Sequence, residues 1–422
     1  MQLLHLRAPR VSRGGYWRWL RLVGHSLGAI QGADLHVYDL RTSGELLGRF
    51  EDVVDYDLHP GVLVTSQRDG LIRRYEEVER HWQLVAVLTA PPVVAAESQV
   101  PSRLLLSPSG ASLVVESAPI PTGPRTWPVA RAFVLDALTG EVRHAVDLHK
   151  TLVRAGFGRL PTGREVVFLS APGYMDVQLV DCGSGTVLRA MSSKVNGFCH
   201  TRYELSPDGR RLYCSGCWWA CPDEQRLYDM EPWLDAEGVN EPQPEPPRSR
   251  NEPLIADAPP LPVLFERGEV LYGELTHPIA PSRTSDGTFT CVSTIHLGIL
   301  HKYTTAEMRF DLEPAPSDPE ILDRLLALPL DGRALVVRRI DPTDGSERGW
   351  TVAYVPTGLQ QHQNVHILPD HRVLVVNERV WLMNGQTGEI EDKGASSAPT
   401  RWFATAATAD AGIVVIFSPE GD

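Results

Sequence analysis

Nowhere in its 422 residues does the chain hold the run of about 18 apolar residues that a membrane-spanning helix needs. The opening MQLLHLRAPRVSRGGYW has too short an apolar stretch for a signal peptide. Lysine is scarce, 4 residues against 36 arginines, a bias that reads as the codon usage of a high-GC bacterium rather than as chemistry. Positive charge is in deficit, 40 Lys and Arg against 53 Asp and Glu for a net charge of -13. The basic footprint that holds nucleic acid or an anionic membrane is therefore missing. Six cysteines are few for this length, and three of them crowd into residues 214–221, which suits a reducing compartment better than a disulfide framework. The expectation is a cytoplasmic protein that binds neither nucleic acid nor membrane.

Signatures of chemistry are scarce as well. There is no phosphate loop and no dinucleotide fingerprint. A serine nucleophile needs a strand-to-helix elbow, and Gly183-Ser184-Gly185 is a hairpin turn instead. No cofactor is expected.

What the chain does have is repetition. An apolar pair, an Asp or Asn, a tight turn ending in Gly and a further apolar residue recur at Val37-Tyr38-Asp39 through Leu46, Val134-Leu135-Asp136 through Val142, Leu179-Val180-Asp181 through Val187, and Leu382-Met383-Asn384 through Ile390. Asp or Asn folds its side chain onto the turn backbone while Gly supplies the positive φ, so each phrase is a hairpin between two strands. A second phrase interleaves with it: an apolar residue, Pro, a small residue or Asp, and Gly or His before a β-rich run. Its prolines stand at 60, 108, 161, 207, 329 and 369. Pro supplies no backbone donor and stops a strand from running on.

A period in the forties with four short strands per unit is the signature of propeller blades. The fold expected is all-β, a single closed β-propeller of four-stranded blades over residues 1–422, with seven blades, or eight on a literal count of turns. Each Pro-Gly turn would join the two inner strands of a blade and each Asp-to-Gly turn the two outer ones. The gap from 207 to 329 holds a proline-rich segment, 235–262, expected to be an exposed insertion, and a weakly marked blade near Asp286-Gly287. The last strands, RWFATAATADAGIVVIF, would complete a blade with the outer pair 35–50 and close the ring, hiding both sheet edges.

The phrase LSPDG, followed by a β run and an apolar-Asp-x-x-x-Gly-Glu hairpin, resembles bacterial WD40-like and quinoprotein-like propeller repeat proteins. The Trp-Asp dipeptide of that family is replaced by Tyr38-Asp39, Leu135-Asp136 and Val180-Asp181. The resemblance implies the fold and assigns no activity.

Among candidate site residues, Cys199-His200 with Cys214, Cys217 and Cys221 could supply the thiolates and imidazole of a four-coordinate zinc site. A Cys-x-x-Cys ligand pair needs a tight knuckle, however, and Cys214 sits in a β run. A redox pair and small buried apolar side chains are the other readings of the same residues. Trp218 and Trp219 before Pro222, and the alternating Trp17 and Trp19, are candidate partner-binding aromatics, or core. His362, His366 and His371 read as scattered solvated histidines, and Asp341 to Glu347 as an extended hairpin turn rather than a calcium loop.

Two functions compete. The favoured one is a non-catalytic scaffold of propeller type that binds other proteins, itself monomeric. The alternative is a propeller enzyme acting on a small molecule, a lactone or a sugar, at the central channel, with or without a metal.

Overall fold

The computed structural model describes residues 2–8, 20–31, 33–42, 44–89, 103–116, 129–149, 154–170, 177–191, 202–206, 209–218, 221–231, 263–269, 276–298, 300–301, 319–341, 343–355, 365–376, 379–395, 404–407 and 412–419. Among these residues the chain forms seven four-stranded sheets and one three-stranded sheet. In chain order the four-stranded ones span residues 20–50 (sheet 1), 53–89 (sheet 2), 103–149 (sheet 3), 154–191 (sheet 4), 202–269 (sheet 5), 276–355 (sheet 6) and 365–395 (sheet 7). Each is a meander whose strands lie side by side in sequence order.

The third and fourth strands of five sheets are joined by Asp-to-Gly or Asn-to-Gly turns. Gly44, Gly140, Gly185, Gly345 and Gly388 donate their N–H to the carbonyl of Asp39, Asp136, Asp181, Asp341 and Asn384, at 2.8–3.0 Å. The acidic or amide side chain then caps the turn: Asp136 Oδ1 accepts from the N–H of Leu138 and Thr139, and Asn384 Oδ1 from Gln386 and Thr387. The Asp341–Gly345 stretch is one of these hairpins, as its sequence suggests.

Three sequence expectations need correction. Leu328-Pro329-Leu330-Asp331-Gly332 does not join inner strands. It follows the helix Pro319–Leu326 and leads into Arg333–Ile340, the third strand of sheet 6. The inner turn of that sheet is Asp286-Gly287, so these two signals belong to one sheet and not to two blades. The outer pair 35–50 also has inner strands of its own, Leu20–Val23 and Ser26–Gln31, turned at Gly24 with φ 58°. The strand Ile413–Pro419 instead pairs in parallel with Gln2–Ala8 and antiparallel with Ala404–Ala407. The two ends of the chain do meet in one sheet, but a different one from that expected.

Two compact units are distinguished: Met1–Arg10, Tyr213–Tyr228 and Val263–Asp422 form one, and Val11–Leu212 with Asp229–Pro262 the other. Within each, consecutive sheets pack face to face. Sheets 2 and 3 bury Val64, Ile72 and Leu88 against Leu104, Leu113 and Leu135. Sheets 6 and 7 bury Val292, Leu335 and Val337 against Val365, Val373 and Val375. Middle strands are covered on both faces, so Ser112–Glu116 is buried at every position, whereas the outer strand His81–Thr89 is buried only at Leu88. Each enclosed Val, Leu or Ile contributes about 1.5–3 kcal/mol, so this stacking carries most of the stability.

Polar groups tie the sheets at particular points. Asp55 and Asp57, both buried, lie on Val53–His59, the first strand of sheet 2. Their Oδ2 atoms accept the N–H groups of Leu104 at 2.7 Å and Leu106 at 2.6 Å, on the first strand of sheet 3. Two carboxylates thus stand where a neighbouring strand's carbonyls would.

In the other unit, the sheet 6 and sheet 7 turns are latched through His371. Its Nε2 lies 2.8 Å from Asp286 Oδ2 and its Nδ1 3.2 Å from the Thr290 hydroxyl. With the Nε2 proton shared with the carboxylate, Nδ1 accepts from Thr290. His371 is therefore buried and bonded rather than solvated, while His366 is half-buried, its Nε2 2.6 Å from Thr405 Oγ1, and desolvation pushes it down to about 4. His371 also has φ 68°, at the turn position that Gly61, Gly110 and Gly163 occupy elsewhere.

This conformation and the latch can be separated by experiment. His371→Ala keeps the left-handed conformation and loses the latch, which costs about 2 kcal/mol in urea unfolding. His371→Gly loses the latch but relieves the backbone, and should be about 1 kcal/mol more stable than the alanine variant. Although desolvation opposes it, the hydrogen bonds from Thr284, Thr288 and His371 hold the Asp286 carboxyl well below the usual range. Its contribution is therefore complete above the ordinary carboxylate pKa and is lost only as pH falls toward its own lowered value.

Candidate functional site

In the unit that contains sheets 1 and 2, the residues joining them open a cleft of about 550 Å³. Strand Glu45–Phe50 ends in Arg49 and Phe50, the connection adds Glu51 and Asp52, and the turn after Val62–Gln67 adds Gln67 and Asp69. Arg73 and Tyr75 complete the lining from strand Leu71–Val78.

The sequence folds this way because the connection is short. Strand Glu45–Phe50 ends at residue 50 and the next begins at 53, so the chain reverses through Asp52, held at φ 54°. Asp is among the few L-residues that tolerate that region. The Asp52 carbonyl accepts the Arg68 N–H at 3.0 Å, which fixes the connection to the facing turn.

Both lining cations are already held. Arg49 Nε and Nη2 donate to Asp34 Oδ2 at 2.9 and 2.5 Å. Arg73 Nη2 donates to Asp69 Oδ2 at 2.6 Å, and its Nη1 to Gln67 Oε1. These bonds hold the Asp34 and Asp69 carboxyls below the usual range, the arginine hydrogen bond being the largest cause in each case. Glu51 and Asp52 are exposed, and their carboxylates accept no hydrogen bond among the described residues. The apolar part of the wall is the aromatic pair Phe50 and Tyr75, edge to face at 4.7 Å between centroids. Burial raises the Tyr75 hydroxyl, opposed by the Arg73 charge, so the phenol stays neutral near pH 7.

The candidate residues read from sequence fall elsewhere. Trp17, Trp19, Cys199, His200 and Trp219 lie outside the described residues. Cys214, Cys217 and Trp218 lie on one continuous strand, Arg211–Trp218, and Cys221 opens the next, Cys221–Asp229. The knuckle that a zinc Cys-x-x-Cys requires is replaced there by extended backbone. Among the described residues no group of three His, Cys, Asp or Glu is placed to hold a metal ion. Cys182 and Cys291 are buried free thiols, and burial pushes the Cys182 thiol well up, away from the reactive thiolate. Also among the described residues, no helix is long and apolar enough to cross a membrane. Sequence reading missed the cleft. The signals available were the charged connection Arg49-Phe50-Glu51-Asp52 and the Arg68-Asp69-Gly70 turn, which carry charge where most other turns carry Pro or Thr.

No family model matches the chain, and no curated protein matches it. Solved structures do. Saccharomyces cerevisiae Sqt1 is similar over 98% of this chain and 94% of its own, at 10% identity and TM-score 0.51. The Dos1 propeller is similar over 92% and 84%, at 10% identity and TM-score 0.48. A chain of the Mitotic Checkpoint Complex is 12% identical over 50% of this chain, at TM-score 0.36, and only 61% of its length is spanned. The likeness to Sqt1 runs almost end to end in both chains, and together with the succession of four-stranded meanders it shows a β-propeller fold.

Proposed function

We propose that the protein is a non-catalytic protein-interaction scaffold, a single propeller domain over residues 1–422 with the proline-rich 235–262 as an insertion, acting as a monomer in the cytoplasm. One observation supports this reading above others: the open cleft between sheets 1 and 2, in which Arg49 and Arg73 are fixed in place by Asp34, Asp69 and Gln67. A surface whose long side chains are already ordered loses little conformational entropy when a partner docks. Its volume lies within the range of about 300–1,000 Å³ typical of binding sites. Open on one side, it can admit a segment of another protein.

A photo-crosslinking amino acid introduced at Arg68, the exposed turn residue beside the cleft, tests this in native cells. Protein adducts are expected at this position and not at Glu391, exposed on the outer strand of sheet 7. Equal labelling from both positions would remove the cleft as the docking site.

A further inference from the structure

The charge left over in the cleft points to what docks there. Arg49 spends two of its donors on Asp34, and Arg73 spends donors on Asp69 and Gln67, so both lining cations are neutralised by partners of this chain. An anionic ligand would have to compete with those carboxylates. Glu51 and Asp52 remain as carboxylates facing solvent at the rim, on a chain whose net charge is -13. Arg68, between Gln67 and Asp69, is exposed but is not among the lining residues. Tyr75, packed in an edge contact with Phe50, lines the same cleft as the two acids.

We propose that the cleft receives an arginine-bearing segment of a partner protein, its guanidinium plane on the Tyr75 ring and its N–H donors on the Glu51 and Asp52 carboxylates. Arginine suits this site better than lysine because a planar guanidinium can stack on an aromatic face and bond to carboxylates at its edge at the same time. A lysine ammonium can do only one of these well. The left-handed backbone at Asp52 belongs to the same short connection, which places both acidic residues in the cleft lining.

This inference rests on the scaffold reading of the same cleft, and the test separates the two. The probes are three fluorescein-labelled Gly-Ser peptides carrying several arginines, lysines or glutamates, titrated by anisotropy against the full chain. The arginine peptide should bind a few-fold tighter than the lysine peptide and at least about tenfold tighter than the glutamate peptide. Two partly exposed ion pairs together amount to about tenfold, so E51Q/D52N should weaken the arginine peptide by about that factor. The variant E79Q/E141Q, which removes the same two charges from exposed positions elsewhere in this unit, should change binding less than twofold. Equal losses in both double variants would mean attraction by net charge alone and overturn the proposal. Tighter binding of the glutamate peptide would overturn it as well, by making the cleft an anion site. If crosslinks at residue 68 capture protein while E51Q/D52N has no effect on the peptides, the scaffold reading stands and the arginine proposal falls.

Discussion

The Asp57→Ala variant is expected to unfold with about 3–5 kcal/mol less stability than the parent, a loss comparable to breaking a buried ion pair from one side. Asp57 is 1% exposed and accepts from three donors: Leu106 N–H at 2.6 Å, Leu58 N–H at 2.9 Å and Arg21 Nη1 at 2.5 Å. Alanine strands the two backbone donors and leaves the partly exposed Arg21 guanidinium to water, and Leu106 N–H cannot turn to a strand neighbour because it lies on the free edge of sheet 3. Asp57→Asn keeps the shape but sets an NH2 group against one of the donors, so it should recover only part of the loss. Urea unfolding of the three proteins gives the comparison. If alanine cost less than about 1 kcal/mol, the carboxylate bridge between sheets 2 and 3 would not be a stabilising link.

A loss of similar size, about 4 kcal/mol, is expected for Gly185→Ala, from a different cause. Gly185 closes the outer hairpin of sheet 4 at φ 76° and lies against sheet 3, where an added Cβ would stand 1.8 Å from the Arg143 carbonyl oxygen. That neighbour is backbone and cannot rotate away. The left-handed conformation accounts for about 1 kcal/mol, and forced displacement of a packed strand for up to about 3 kcal/mol. Gly44 is the matching control, because it holds the same place in the sheet 1 hairpin at φ 89° and its Cβ would meet nothing within 4 Å. Gly44→Ala should therefore lose only the conformational part. Equal melting temperatures for the two alanine variants would show that sheet 4 moves away from sheet 3 freely.

The contrast between these glycines marks the limit of what could be read from the sequence. The hairpins were legible because their chemistry is local: Asp136 caps its own turn, and Gly140 completes it four residues later. The sheet count was harder. Sheet 1 turns on Gly24-His25 with no proline to mark it, and sheet 6 admits a helix whose exit, Leu328-Pro329, imitates the inner-turn phrase. A chain that inserts a helix between the second and third strands breaks the period from which blades are counted. The cleft was less legible still. Arg49 finds Asp34 only because their strands pair in sheet 1, and Phe50 meets Tyr75 only because sheet 2 stacks on sheet 1. Nothing in the spacing of those residues announces the contact. His371 shows the same rule from the other side: it breaks the local preference for glycine, and the reason lies 85 residues away, at Asp286.

The parallel pairing of Gln2–Ala8 with Ile413–Pro419 also sets the timetable of biosynthesis. Sheets 1 to 4 each close within their own stretch of sequence and can form in turn as the chain leaves the ribosome. Gln2–Ala8 closes no such sheet: among the described residues its one sheet neighbour is Ile413–Pro419, which is translated only after all seven four-stranded sheets. Until Ile413–Pro419 has been translated, Gln2–Ala8 lacks that partner, and a chaperone guarding it over the interval would meet a need written into the topology.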